Sequence, residues 1–302
     1  MSMSELPIVV LPVGSDDEAL DATLAALDAG TPAGTRVWLA DNASTGPRGA
    51  AIIERWLGST RLQADYSRRQ RRVSELDHLD EVLAACAGAD VAVLAPDAVP
   101  LPGWLERMAG CLEADGAVAS VTAWSNAGEA VAWPRIGEAC NPPAEPARLA
   151  RAAQRMPAAT PELPAAVGHA VLLRGAALVK ARGLDVDSFG SWYAGLTDLS
   201  LRLAGLGWRN VLCPSAFVAR PAEGVPAEGD MERLASRWPD WHARLAGFLM
   251  DDPLHEARTR LAALLEDTGP PDPQPDLFEP AQAHAAEHAC EVPASTRVDA
   301  AP

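Results

Sequence analysis

Three short stretches place polar side chains directly after apolar, β-branched runs. The run over residues 8–11 leads into Pro12-Val13, that over 37–40 into Asp41-Asn42-Ala43-Ser44-Thr45, and that over 91–94 into Pro96-Asp97. A carboxylate at a strand end can accept hydrogen bonds from the edges of a base or a ribose. The same Asp41–Ser44 residues could instead form an Asx turn or a helix cap. A second group of acids lies later in the chain: Asp185 and Asp187 between Gly183 and Gly190, and Asp198 just before Leu199. A carboxylate is the group needed to take a proton from a weakly acidic hydroxyl. His78, with Asp77 and Asp80, invites a metal reading, but on a helix these spacings do not face one way, and a solvated helix face is expected. Arg68, Arg69, Arg71 and Arg72 form the one basic cluster, either a solvated face or an anion contact.

The elements that must position these residues alternate. Residues 8–13, 37–40, 91–94 and 117–121 read as buried strands. Ser15-Asp16-Asp17-Glu18 has capping-box form and opens a helix whose apolar face is Leu20, Leu24 and Leu27, with Gly30 and Pro32 ending it. Residues 48–57, 72–86 and 104–112 also read as helices, the last with Pro102 before its first turn. This alternation predicts an α/β fold with a doubly wound, mostly parallel sheet, whose ligands bind at the carboxyl ends of the strands. Residues 134–163 are expected as a long loop with one helical piece at 145–155. Residues 229–266 are expected as helices, with Trp238, Trp241, Leu245 and Leu249 as core candidates.

The chain has 302 residues, 48% of them hydrophobic, enough for one large α/β domain. Its net charge of −16 disfavours nucleic acid as a partner. Five widely spaced cysteines without a Cys-x-x-Cys pair suit reduced thiols in a cytoplasmic protein. No run reaches the roughly 18 apolar residues of a membrane helix, and Glu5 precedes the first strand where a signal peptide would carry positive charge. From Gly269 onward seven prolines, six acids and one basic residue predict a disordered acidic tail over 269–302.

Taken in order, these motifs resemble family 2 glycosyltransferases, which have the GT-A fold. Leu11-Pro12-Val13 matches the family's opening turn, and Asp41-Asn42-Ala43-Ser44-Thr45 its second strand end. Pro96-Asp97-Ala98-Val99, then Pro102-Gly103-Trp104-Leu105, matches the third. Val167-Gly168-His169-Ala170 through Arg174 resembles the strand that opens the acceptor half. Gly183-Leu-Asp185, then Asp198-Leu-Ser-Leu-Arg202 and Gly207-Trp208-Arg209, resembles the loop, helix and turn that follow. The resemblance covers residues 6–222.

It implies that Pro12, Val13, Asp41, Asn42 and Ser44 bind the donor nucleotide. Asp97 would hold Mg²⁺ or Mn²⁺ against the diphosphate, and Gly168, His169 and Trp192 would line the acceptor pocket. The family's Glu-Asp pair falls on Gly195 and Leu196, so a base must be borrowed from Asp187, Asp198 or Asp185, with Asp187 preferred. The family's metal-binding His falls on Arg220, which could neutralise a diphosphate directly. The expected domains are a GT-A domain over 1–222, a helical extension over 223–268 packed on it, and the tail. The expected activity is inverting transfer from a nucleotide sugar to a cell-surface polysaccharide or lipid-linked glycan, in the cytoplasm or at the inner membrane. The alternative is an inactive GT-A-like module that binds nucleotide, glycan or a partner enzyme. A nucleotidyltransferase is disfavoured, because the first turn, Gly14-Ser15-Asp16-Asp17, is acidic where a basic phosphate loop would be needed.

Overall fold

The computed structural model describes residues 6–269 except 87 and 223. Of the expected tail only Gly269 falls among them; 270–302 lie outside the described residues. Strands β1 (Ile8–Val13), β2 (Arg36–Asp41), β3 (Gln63–Arg68) and β4 (Val91–Leu94) lie parallel in the order β3-β2-β1-β4. The two-residue β5 (Val99–Pro100) follows at the far edge. Beyond β4 the sheet turns mixed. β7 (Ala170–Leu173) runs antiparallel between β4 and β6 (Val118–Trp124), and β8 (Arg209–Ala219) is parallel to β6. Every residue of β4, β6 and β7 is buried, as befits strands covered on both faces.

Helices cover the two faces. α1 (Asp17–Gly30), α2 (Pro47–Leu57) and α4 (Trp104–Ala114) pack on one, sharing a core with Leu11, Leu39 and Val121. α3 (Glu75–Ala85), α6 (Gly175–Ala181), α7 (Trp192–Gly205) and α8 (Asp230–Arg237) pack on the other, against Val10, Val93 and Val171. α5 (Pro146–Gln154), α9 (Trp241–Asp251) and α10 (His255–Asp267) are the remaining helices among the described residues, and α10 shares a third cluster with α5 and Trp124. Helices α8–α10 belong to the same compact unit as the sheet.

Local chemistry explains the details. Asp16 caps α1, accepting from the backbone N–H of Glu18 and Ala19 at 2.9 and 3.1 Å. In the Pro102-Gly103-Trp104 turn, Gly103 has a φ of 82°, which a side chain would strain. The turn seats Trp104 in the core, where its indole N–H reaches Thr31 Oγ1 at 3.2 Å. Truncating a tryptophan so buried costs about 3–5 kcal/mol. Strand β3 was not anticipated. It forms the sheet edge, and its sequence Gln-Ala-Asp-Tyr-Ser-Arg keeps the polarity of partly solvated side chains. Helix α7 starts at Trp192, well before the Asp198–Arg202 segment, because Ser191 caps it through the Ala194 N–H.

Candidate active site

The carboxyl ends of β1, β2 and β4 meet along one rim, and two hollows open there. The outer groove, about 270 Å³, is lined by Pro12, Val13, Asn42, Ser44, Arg72, Glu75, His78 and Pro96, among others. The deeper pocket, about 190 Å³, includes Glu129, Gly168, His169, Trp192 and Arg220. Pro12, Glu75, Leu79 and Pro96 belong to both, so the two hollows share a wall.

Pro12, Val13, Asn42 and Ser44 thus lie together on the groove. Asn42 is fixed by the loop before α3: its Nδ2 donates to the Val73 carbonyl at 2.9 Å and its Oδ1 accepts the Val73 N–H at 3.0 Å. Ser44 Oγ donates to the Val13 carbonyl at 2.8 Å, tying the first two strand ends together. Asp41 is different. Its side chain is fully buried and lines neither hollow. It accepts from the Ser44 N–H and the Tyr66 hydroxyl, both at 2.8 Å, and from the Thr45 hydroxyl, with Arg68 at 3.5 Å. Burial alone would raise its pKa. The hydrogen bonds of Thr45, Ser44 and Tyr66 more than offset this and hold the carboxyl below its ordinary range. Its geometry is that of a turn clamp, because every neighbour that satisfies it belongs to β2, β3 or the turn between β2 and α2.

Asp97 lies at the end of β4 in an ion pair with Arg220, at 3.0 and 3.3 Å. Arg220 follows β8 and is braced by Asn126, which accepts its N–H and donates to its carbonyl at 2.9 and 2.8 Å. The Arg220 Nε–H is buried with no hydrogen-bond partner among the described residues. No cluster of three or more potential metal ligands exists among the described residues.

The candidate residues after β6 divide. Gly168, His169 and Trp192 line the deeper pocket together. The Trp192 indole N–H donates to the Gly168 carbonyl at 3.0 Å, and a Cβ on Gly168 would lie 2.6 Å from that indole, so glycine is required there. His169 is neutral: burial first, then the charge of Arg220, lowers its pKa to about 3. Of the three candidate bases, none lines either hollow. Asp198 is fully buried behind α7, paired with Arg202 at 2.7 Å and Arg237 at 3.1 Å, and accepts the Trp238 indole N–H at 3.0 Å. Asp185 pairs with Arg237 at 2.6 Å and caps the Ser188 N–H at 3.1 Å. Burial pushes its pKa up, but Arg237 and Ser188 prevail and lower it. Asp187 is on the exposed side of the same loop.

The absence of an acid at Gly195 and Leu196 also has a structural cause. α3 crosses α7 there, and a Cβ on Gly195 would lie 2.5 Å from Leu76. Leu196 is buried in the same core.

A carboxylate enters the site from an element expected to be a solvated helix face. Ser74 caps α3 by accepting the Asp77 N–H at 3.0 Å, which places Glu75 in the first turn at the junction of the hollows. Glu75 keeps solvent access along the groove, yet the surrounding walls raise its pKa by desolvation. The Trp192 backbone N–H and the charges of Arg220 and Arg72 oppose that rise. His78, one turn on, is buried against the groove, and its pKa is lowered by burial and by Arg69. The Ser-x-x-Asp cap was the available signal, since it fixes where the helix starts and hence which residues face the rim. Glu129, from the turn after β6, is a second carboxylate in the deeper pocket and has a left-handed φ of 44°.

No protein-family model and no curated protein sequence matches the chain. Solved structures do match in fold. A mannosyltransferase from Pyrobaculum calidifontis, in complex with GDP-Man and Mn²⁺, is 15% identical with a TM-score of 0.55, over 89% of this chain and 77% of that one. GalNAc-T7 with UDP, GalNAc and Mn²⁺ is 12% identical with a TM-score of 0.57, over 87% of this chain and 55% of that one. S. aureus TarS with UDP is 11% identical with a TM-score of 0.51, over 86% of this chain and 71% of that one. The fold is the GT-A fold of glycosyltransferases. No described helix is long and apolar enough to cross a membrane.

Proposed function

We propose that the chain is a glycosyltransferase of the family 2 type, moving a sugar from a nucleotide diphosphosugar to a glycan or lipid-linked acceptor with inversion, on the cytoplasmic side of surface polysaccharide assembly. One observation carries this reading: on a GT-A fold, a groove and a pocket that share a wall open at the carboxyl ends of β1 and β4. A nucleotide in the groove would meet Pro12, Val13, Asn42 and Ser44. Its sugar would then reach the pocket of Gly168, His169 and Trp192. Arg220 supplies positive charge in the deeper pocket, and its unpartnered Nε–H suits a phosphate oxygen.

The similar structures with GDP-Man or UDP and GalNAc also carry Mn²⁺. A hard cation shared with a diphosphate needs only one or two carboxylates, and Asp97 provides one. Asp97 would hold Mg²⁺ or Mn²⁺ with diphosphate oxygens, and such an ion neutralises charge on the leaving group. Arg220, 3.0 Å from the same carboxylate, would then turn its donors to the phosphate. His169, neutral and buried, shapes the pocket floor without adding charge.

A thermal-shift screen with UDP-, GDP- and dTDP-sugars, with and without Mn²⁺, tests the proposal. A rise in Tm with one nucleotide class, and release of the nucleoside diphosphate when a glycan is added, is expected. The second reading, an inactive binding module, is favoured by the engagement of Asp185 and Asp198 in ion pairs. It predicts the Tm rise without any release.

A further inference from the structure

We infer that Glu75, in the first turn of α3, is the general base that activates the acceptor hydroxyl. The inference rests on the glycosyltransferase reading above and names a residue for its central step. Displacement at the anomeric carbon happens where the donor's diphosphate end meets the acceptor. In this molecule that place is the wall common to groove and pocket, formed by Pro12, Glu75, Leu79 and Pro96. Glu75 is the one titratable member of that wall. Glu129 lines the pocket and a small cavity behind it, away from the groove.

The carboxylate is also positioned. Its own helix is fixed by Ser74, and the Trp192 backbone N–H at the start of α7 counteracts the desolvation of its charge, so α3 and α7 both bear on it. The charged and titratable groups around it in the two hollows are Arg72, Arg220, His78, His169, Tyr193 and Glu129. Desolvation brings its pKa up from that of a free glutamate, toward the range where a base works best. In the step itself, Glu75 takes the hydroxyl proton as the acceptor oxygen forms its bond to the anomeric carbon. The anomeric carbon–oxygen bond to the diphosphate breaks, and its electron pair leaves with the diphosphate. Glu75 ends protonated and returns the proton to water along the groove.

The test compares the parent, Glu75→Gln, Glu75→Asp and Glu129→Gln in three measurements. These are calorimetric binding of the nucleotide sugar found by the screen, release of nucleoside diphosphate with acceptor present, and the pH profile of that release. Glu75→Gln keeps the side chain's size and one acceptor oxygen and should bind the donor like the parent. Its turnover should fall about 10²–10⁴-fold. The parent rate should climb with pH through a pKa above the ordinary glutamate value, and this limb should vanish in Glu75→Gln. Glu75→Asp should retain part of the rate and the limb, which a purely structural role would not give. Release by Glu75→Gln within threefold of the parent, with donor binding intact, overturns the base assignment and leaves the transferase reading standing. The same assignment is overturned if Glu129→Gln removes the pH limb. A parent that binds no nucleotide sugar removes both readings. A parent that binds without release removes the base and leaves a binding module.

Discussion

The rim at the ends of β1 and β2 and the helix α7 each hold a buried, paired acid, Asp41 and Asp198, but they place the neighbours of those acids differently. On the rim, Val13, Asn42 and Ser44 reach the groove close to a strand end although their neighbour Asp41 is turned inward. Asn42 and Ser44 face the groove even while hydrogen-bonded to Val73 and Val13. On α7, position along the helix decides everything. Asp198, two residues beyond Leu196, points away from the pocket into Arg202, Arg237 and Trp238. A strand end delivers neighbouring residues to one place, whereas a helix separates them by about 100° per residue.

Removing the helix-side acid should have the largest effect. Asp198→Ala leaves Arg202 and Arg237 without their buried partner, and loss of one member of a buried pair costs about 3–5 kcal/mol. Both arginines keep some solvent, which favours the lower end. Urea unfolding should show the loss, while protein that remains folded should bind nucleotide sugar like the parent. A variant of normal stability and impaired binding would place Asp198 at the site after all.

Asp41 brings the contrast onto the rim. Asp41→Ala strips an acceptor from Thr45, Ser44, Tyr66 and Arg68 and should cost about 3 kcal/mol of stability. Nucleotide affinity should follow only as far as the Asn42–Ser44 turn loosens. A loss of affinity without a loss of stability would show the carboxylate turning outward to the nucleotide.

These two acids mark how far the sequence could be read. Three of the four parallel strands, β1, β2 and β4, followed from apolar runs, and the polar turns after them marked the rim. The family resemblance, not the apolar pattern, grouped Gly168, His169 and Trp192, and the three line one pocket. The fates of Asp41, Asp185 and Asp198 were not legible, because a carboxylate's partners come from elsewhere: Tyr66 on the unanticipated edge strand, Arg237 on α8. Glu75 went unseen for a related reason. Its segment looked like a polar helix face; the Ser74 cap marks where α3 starts, but the crossing of α3 over α7, which demands glycine at 195, comes from a distant part of the chain.

The pocket floor should report through pH. His169 is neutral in the fold with a pKa of about 3, against 6.5 when unfolded. Between these values the unfolded chain gains a proton that the fold refuses, so stability is full above pH 6.5 and falls as pH drops. At roughly 1.36 kcal/mol per pH unit, the loss reaches about 2 kcal/mol by pH 5. Asp41 and Asp185, with lowered pKa values, lose their contribution only as pH falls below the ordinary carboxylate range, so they add little in this window. His78, also lowered, titrates in the same direction and remains in a His169→Gln variant. Chemical unfolding at pH 7 and pH 5 should therefore give a smaller difference for the variant than for the parent. Equal differences would mean that His169 can be protonated where it sits.

The smallest effect separates two arginines, one from each hollow. Arg220 is nearly buried, braced by Asn126 and paired with Asp97. Arg72 lines the groove from an exposed loop. If both meet the diphosphate, they should do so with different strength. Arg220→Gln removes a charged hydrogen bond from a site with little water and should weaken donor binding by about 1.5–3 kcal/mol. Arg72→Gln removes a solvated charge and should weaken it by about 0.5 kcal/mol. Salt discriminates further. Exposed charges are largely screened beyond roughly 10 Å at 0.1 M, and buried pairs much less. Raising ionic strength from 0.05 to 0.5 M should thus erase the Arg72 effect and leave most of the Arg220 effect, as read by calorimetry on the two variants. Equal losses that fade together with salt would place the diphosphate out on the groove, away from Asp97, and would move the reacting carbon off the wall that holds Glu75.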